Sequence, residues 1–219
     1  MVMNEFRYTL LTDGTSDDAL KPLLNWILRE QGLASAIESD WADLRRVNPR
    51  PGTFPDRIRH ALDLYPCDLL FVHRDAERAR PEHRRAEIQE ALNVASDLIT
   101  LPPVVCVIPI RMMESWLLFD EQAIRRAAGN PTGKVKLALP RKAEIEQIPD
   151  PKATLHEILR AASGLHGRRL RKFSTLGSAR RVADLLDDFS PLRGLSAFDA
   201  LKEEVQGLIK AKGWIKPSR

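Results

Sequence analysis

Five acidic residues occupy the points where strands of a predicted parallel sheet end, in three separate segments of the chain. They are Asp13, Asp17, Asp75, Glu77 and Glu114. The carboxyl ends of parallel strands open onto one crevice, in which ligands bind. Carboxylates gathered there repel each other unless a cation offsets their charge, and Mg²⁺ combines carboxylates with waters and substrate phosphates. We therefore expect a metal-dependent enzyme acting on phosphate esters, with Mg²⁺ or Mn²⁺ as cofactor and these five residues as metal ligands.

The first acidic segment joins a predicted strand to a predicted helix. An apolar run predicts the strand over residues 6–12, and the helix follows over residues 16–31 with Ser16 as its N-cap. Asp13 then projects from the strand end, and Asp17 lies in the first helical turn. Gly14 suits a turn in which φ is unusual or another group approaches closely. An aspartate before a helix also serves simply as a cap, so this segment alone does not establish a site.

The other two acidic segments follow the next apolar runs, at residues 68–73 and 104–110, which predict buried parallel strands. Asp75 and Glu77 leave the first of these strands. Alternate residues leaving a strand can point the same way, so these two carboxylates can share one cation. Glu114 begins a short helix after the second strand, where a carboxylate also complements the helix dipole. Each segment considered alone fits a polar loop or a helix start, and the metal hypothesis depends on their combination.

Strand and helix signals alternate up to about residue 129, with a weaker strand signal between residues 34 and 44. Beyond that point the strand signals fade and only helices are predicted, near residues 141–148, 154–163, 178–187 and 197–211. The run Gly129-Asn130-Pro131-Thr132-Gly133 is the clearest boundary. We therefore predict a catalytic α/β domain over residues 1–129 and a basic helical extension over residues 130–219, packed on it or beside it.

The charge is distributed unevenly between these two parts. Residues 1–129 carry 16 Lys and Arg against 20 Asp and Glu, whereas residues 130–219 carry 18 against 10. A basic surface beside an acidic catalytic part suits a nuclease, because the basic side attracts the phosphate backbone. The densest basic cluster comprises Arg168, Arg169, Arg171 and Lys172, and we predict that it binds nucleic acid. A solvated helix face would account for the same cluster.

The order of the acidic segments resembles the Toprim superfamily. Its pattern is a strand ending in acidic-Gly-x-x-acidic, here Asp13 to Asp17, and a later strand ending in Asp-x-acidic, here Asp75 to Glu77. The stretch from Pro109 to Asp120 is similar to that of small stand-alone Toprim-like proteins of bacteria, found in defence islands. The resemblance implies a Toprim-like α/β fold, a parallel sheet flanked by helices with a C-terminal helical region. It also implies a nuclease of the overcoming-lysogenization-defect type in antiphage defence, with a nearby-encoded ATPase as a possible partner.

Two positions depart from the pattern of that superfamily. The first acid is usually Glu and here is Asp13, and the usual Asp-x-Asp is here Asp75-Ala76-Glu77. A metal site accepts such exchanges only if the backbone adjusts. A second hypothesis therefore stays open, in which the protein is a catalytically degenerate module that binds nucleic acid or a partner protein.

For the catalytic hypothesis we assign roles to four residues: Asp13, Asp75 and Glu77 act through the metal, and Arg74 offsets charge on the phosphate. Nucleotide hydrolysis and dinucleotide binding lose support, because the chain has no Gly-x-x-x-x-Gly-Lys loop and no Gly-x-Gly-x-x-Gly motif. No apolar run reaches the roughly 20 residues of a membrane helix. Two lone cysteines suit a reducing cytoplasm, in which we expect the protein to act.

Overall fold

The computed structural model describes residues 5–14 and 16–214 of the 219-residue chain. These residues form two compact units. The sheet unit comprises the chain up to Arg74, Ala79–Ile108 and the chain from Ala200 onward, and the helical unit comprises Asp75–Arg78 and Pro109–Asp199. The predicted division after residue 129 falls inside the helical unit.

The sheet unit contains a four-stranded, entirely parallel sheet. Its strands are β1 (Glu5–Leu11), β2 (Ala36–Trp41), β3 (Leu69–His73) and β4 (Val104–Val107), in the order β2-β1-β3-β4. Every residue of β3 is buried, as expected for a strand covered on both faces. The ring of Tyr8 on β1 packs edge-on against Phe71 on β3, with 5.1 Å between centroids. The predicted parallel sheet flanked by helices is confirmed.

Three helices of the sheet unit connect its strands: α1 (Lys21–Glu30), α2 (Phe54–Leu64) and α3 (Pro81–Ser96). Helix α1 buries Leu23, Leu24, Ile27 and Leu28, the apolar stripe that its sequence contains. Helix α2 begins after Thr53, whose hydroxyl accepts a hydrogen bond from the Asp56 N–H, with a proline in the first turn. Helices in these positions supply the crossover connections that parallel strands need.

The helical unit contains a 3₁₀ turn at Met113–Leu117 and helices α4 (Glu121–Ala127), α5 (Pro151–Ser163), α6 (Gly167–Arg171) and α7 (Thr175–Asp184). Helix α8 occupies Ser196–Lys212. Trp116 is fully buried and meets the ring of Phe198 edge-on, with centroids 6.2 Å apart. No strand follows Val107 in the described part of the chain, so the predicted helical C-terminal region is confirmed.

The strand predicted at residues 104–110 and the helix predicted from residue 16 differ in detail from the structure. The strand predicted to reach residue 110 ends at Val107, and Pro109 just beyond it has no N–H to donate to a ladder. The helix predicted from residue 16 begins with a 3₁₀ turn at Asp17–Leu20, and the Ser16 side chain caps no backbone N–H. None of the helices in the two described segments has the length and apolar character needed to cross a bilayer.

Candidate functional site

The strand order reverses at β1, which marks the expected position of a ligand site. The chain leaves β1 for β2 on one side and then returns to β3 on the other side. In open α/β sheets ligands bind outside the carboxyl ends of the strands at such a point. Asp13 follows β1 and Arg74 follows β3. The β1–β3 register pairs Leu11 with Val72, and two further residues along each strand bring Asp13 beside Arg74.

Two arginines hold the Asp13 carboxylate in the sheet unit. Arg74 Nε donates to Asp13 Oδ2 at 2.9 Å, and Arg57 on α2 donates to Asp13 Oδ1. Arg57 also donates to the Thr12 carbonyl, and both guanidinium groups lie over the ring of Phe54, at 5.7 and 5.4 Å from its centroid. The carboxylate is nevertheless 43% exposed. We call Asp13, Arg57 and Arg74 the arginine clamp.

The arginine clamp extends to a second acid and changes the titration of Asp13. Arg74 also donates to Glu87 at 2.8 Å, and Glu87 accepts from Arg84. Burial raises the pKa of Asp13, but hydrogen bonds and charge attraction from Arg57, followed by those from Arg74, outweigh burial and lower this pKa below its usual value. Asp13 is therefore a charged group at neutral pH and a poor proton acceptor.

Asp17 lies in the same loop as Asp13 but is buried. Its Oδ2 accepts the Gly14 N–H at 2.9 Å, and a Cβ added at Gly14 would lie 2.7 Å from that oxygen. A side chain at position 14 would therefore force the Asp17 carboxylate to shift from this position. On the other side, His73 Nε2 is 3.6 Å from Asp17 Oδ2, while His73 Nδ1 donates to the Val107 carbonyl at 2.9 Å. Asp17 thus links the β1 loop to the end of β3.

Asp75 and Glu77 lie in the helical unit, in a segment paired with residues 109–113. The Ala76 N–H donates to the Pro109 carbonyl, and the Glu77 N–H donates to the Arg111 carbonyl at 2.8 Å. Glu77 and Arg111 both have positive φ, at 52° and 65°. Non-glycine residues in this region carry backbone strain, which is concentrated at functional sites.

The side chain of Asp75 is hydrogen-bonded to the turn of the helical unit that carries Glu114. Asp75 Oδ1 accepts the N–H of Met113, the residue before Glu114, at 2.9 Å. Glu114 is 5% exposed, and its Oε1 lies 3.4 Å from Lys152 Nζ at the start of α5. Asp75 therefore supports the turn that carries Glu114, and Lys152 offsets the buried charge.

The predicted nucleic-acid cluster lies on and just after α6. No residue of this short helix is buried, and Arg168, Arg169, Arg171 and Lys172 are all exposed. Within residues 5–14 and 16–214 these four cations form no ion pair. Their charge is therefore open to a phosphate backbone, as the prediction requires.

The acidic residues do not form a ready-made metal cage. In the part of the chain that the structure describes, no group of three or more His, Cys, Asp or Glu side chains is placed to hold a metal ion. This observation concerns closed sites made by protein alone. Mg²⁺ is usually held by one or two carboxylates together with waters and phosphates, and exposed carboxylate oxygens such as those of Asp13 suit it chemically.

Arg57 was not predicted from the sequence, although it contacts Asp13 directly. It lies 44 residues further along the chain, on a helix whose alignment with the β1 end depends on the whole fold. A pocket of about 320 Å³ beside the clamp was also not predicted; its lining includes Trp41, Arg45 and Arg50. The only sequence signal for either was the group of arginines between residues 45 and 57.

The chain matches no family model, no curated protein and no solved structure at a significant level.

Proposed function

We propose that the protein is a Toprim-like nuclease that hydrolyses phosphodiester bonds of nucleic acid with the help of Mg²⁺ or Mn²⁺. The observation that carries this proposal is the arginine clamp at the point where the strand order reverses. An exposed carboxylate beside two guanidinium groups offers an oxygen ligand for a hard cation and forked donors for a phosphate in one place.

The arginines have a direct role in this proposal. In hydrolysis a water oxygen bonds to phosphorus, the bond to the departing sugar oxygen breaks, and negative charge gathers on the phosphate oxygens. Arg57 and Arg74 donate in planar forks that match these oxygens. Their present partner, Asp13, is exposed, so an incoming phosphate can compete for the same donors.

The carboxylates have a different role from the arginines. A divalent cation, when bound, would polarise the phosphate and lower the pKa of a water. Asp13 would hold such a cation from the sheet unit, and its lowered pKa keeps it ionised for this purpose. Asp75, Glu77 and Glu114 stay predicted ligands on the basis of their positions after strands. Asp17 positions the β1 loop, because its carboxylate is occupied by the Gly14 N–H.

The biological setting follows the same proposal. Free thiols at Cys67 and Cys106 suit a reducing cytoplasm, and the resemblance to defence-island proteins supports a role against phage. The exposed basic cluster around α6 would hold the backbone without reading sequence. An ATPase encoded nearby is a candidate partner.

A binding module is the second candidate function. The observation that favours it is the pairing of both Asp13 oxygens with arginines, which neutralises the carboxylate without any cation. Under this hypothesis the basic surface binds nucleic acid or a partner protein, and no bond is cleaved.

The test is a cleavage assay with Asp13→Asn and Asp75→Asn. Each should reduce Mg²⁺- or Mn²⁺-dependent cleavage of DNA or RNA to background while affinity for the same nucleic acid changes by less than about threefold. Asp97→Asn, at the end of α3, is the matched control and should cleave normally. If the purified protein cleaves no single- or double-stranded substrate, alone or with the product of a neighbouring gene, the binding module replaces the nuclease.

A further inference from the structure

The pocket of about 320 Å³ beside the arginine clamp has the lining of a nucleotide site. It lies at the carboxyl ends of β1 and β2, and its walls include Thr12, Asp13, Trp41 and three arginines. Small-molecule sites occupy about 300–1,000 Å³. The pocket is therefore large enough for one small ligand, and its aromatic and cationic lining favours a ligand with both a ring and a negative charge.

Trp41 and Arg45 lie against each other in this pocket, and each is held by a hydrogen bond. The Trp41 Nε1–H donates to Thr12 Oγ1 at 3.0 Å, which fixes the orientation of the indole. The Arg45 guanidinium lies 5.3 Å from the centroid of that indole and is held in turn by Asp43, at 2.7 and 2.6 Å. Unpaired bases stack on tryptophan rings and on guanidinium planes. Neither group has to be ordered when a base arrives, which reduces the entropy lost on binding.

Arg50 supplies one of the three arginine side chains that line the pocket. It is exposed, and among the described residues it has no ion pair or hydrogen bond. The neighbouring Arg57 belongs to both the pocket and the arginine clamp. A nucleic-acid backbone that enters the clamp at Arg57 therefore also meets the pocket that Arg50 and Trp41 line.

We propose that this pocket holds one unpaired nucleotide of the substrate, with its base against Trp41 and Arg45 and its phosphate on Arg50. The substrate class is consequently single-stranded nucleic acid, or a duplex with an unpaired end, because a paired base cannot leave its stack without losing pairing energy. This inference rests on the proposed function, since it names the form of nucleic acid that the same site takes.

The experiment compares two arginine variants that remove the same charge from the same segment. Arg50 lines this pocket, whereas Arg46 lines a different pocket with His60 and Asp63. Affinities for a 12-nucleotide single strand and for a duplex of the same sequence are measured for the wild type, Arg50→Gln and Arg46→Gln. We expect Arg50→Gln to weaken single-strand binding about tenfold or more, as loss of a charged hydrogen bond does, and Arg46→Gln to weaken it less than threefold. Both variants should have equal affinity for the duplex.

A second measurement identifies the base contact. Binding of a nucleoside monophosphate should change the tryptophan fluorescence of the wild type, and Trp41→Phe should lose this change while calorimetry still detects binding. Inorganic phosphate should not reproduce the change.

Three outcomes would each overturn the inference. They are equal single-strand affinities of the two arginine variants, a fluorescence change that survives Trp41→Phe, and an equal response to inorganic phosphate. Cleavage is assayed separately. If the protein cleaves nucleic acid but the pocket variants bind it as the wild type does, only this inference is refuted. If the pocket variants bind differently but no cleavage occurs, only the nuclease is refuted.

Discussion

The sheet unit and the helical unit neutralise their acidic residues by different means. In the sheet unit the exposed Asp13 is held by two arginine side chains. In the helical unit Asp75 is held by the main-chain N–H of Met113, and the buried Glu114 lies beside Lys152. An arginine can rotate away and bind a phosphate, whereas a main-chain donor cannot move without unfolding its turn. The difference indicates that the partners of Asp13 are exchangeable, whereas Asp75 in the helical unit, like Asp17 in the sheet unit, is held by a fixed main-chain donor.

The largest effect should come from the exchangeable charges. Replacing Arg57 or Arg74 by Met should each lower the cleavage rate by about 100-fold, because each removes a donor to the developing phosphate charge. Arg59→Met is the matched control, since Arg59 lies on the same helix and pairs with Asp56. Single-turnover rates at saturating nucleic acid provide the measurement. A rate within threefold of the wild type in both clamp variants would contradict the assignment.

The main-chain hydrogen bond that holds Asp17 in the sheet unit can be tested at Gly14. Gly14→Ala should lower the free energy of unfolding by about 2 kcal/mol, because the new methyl group would overlap the Asp17 carboxylate and break its hydrogen bond to the main chain. Gly52→Ala is the control, since nothing lies within 4 Å of the added atom. Urea denaturation measures both. Equal stabilities of the two variants would show that the loop relaxes around the methyl group.

Lys152 tests the buried charge of the helical unit. Lys152→Met should lower the free energy of unfolding by about 1 kcal/mol, because Glu114 is left buried beside an apolar side chain. The comparison is Lys202→Met in the sheet unit. The Lys202 ammonium lies 3.9 Å from the carboxylate of Glu30, which is more exposed than that of Glu114. That variant should lose less than half as much, again by urea denaturation. A larger loss for Lys202→Met would reverse the ranking of the two pairs.

The smallest effect concerns pH. The folded-state pKa of Asp13 lies below its unfolded value, so its ionised form stabilises the fold above the unfolded pKa, and this contribution is lost as the pH falls through the folded pKa. Because the carboxylate is 43% exposed, the contribution should be under about 1 kcal/mol. Wild type should thus be slightly more stable than Asp13→Asn at pH 7, and the difference should disappear in strong acid. A difference that grows on acidification would contradict the sign.

The sequence predicts the architecture better than the contacts of the site. Apolar runs before Asp13 and Asp75 were enough to predict a parallel sheet, because short unbroken apolar runs are typical of strands covered on both faces. The single strand Ala36–Trp41 was only a weak signal, since its residues are mostly half-buried or exposed and its apolar alternation is incomplete. Thr53, a residue type that favours helix N-caps, caps α2.

The partners of the acidic residues could not be predicted from local patterns. Arg57 on α2 meets Asp13 although 44 residues separate them in the chain. Arg74 was predicted to serve a phosphate, and its register opposite Asp13 was not foreseen. Long-range pairs of this kind leave no periodicity in a sequence. The predicted role of Arg168 and its neighbours remains a prediction, now with an exposed surface to test.

Under the proposed function, in which Glu77 is a metal ligand, the backbone at this residue places stability and activity in opposition. A left-handed conformation costs a non-glycine residue about 1 kcal/mol or more, and a glycine would adopt it freely. Variants selected for heat resistance should therefore accumulate Gly at position 77, whereas variants selected for cleavage should retain the carboxylate. Applying each selection separately to one library of variants at position 77 would show which property this position serves.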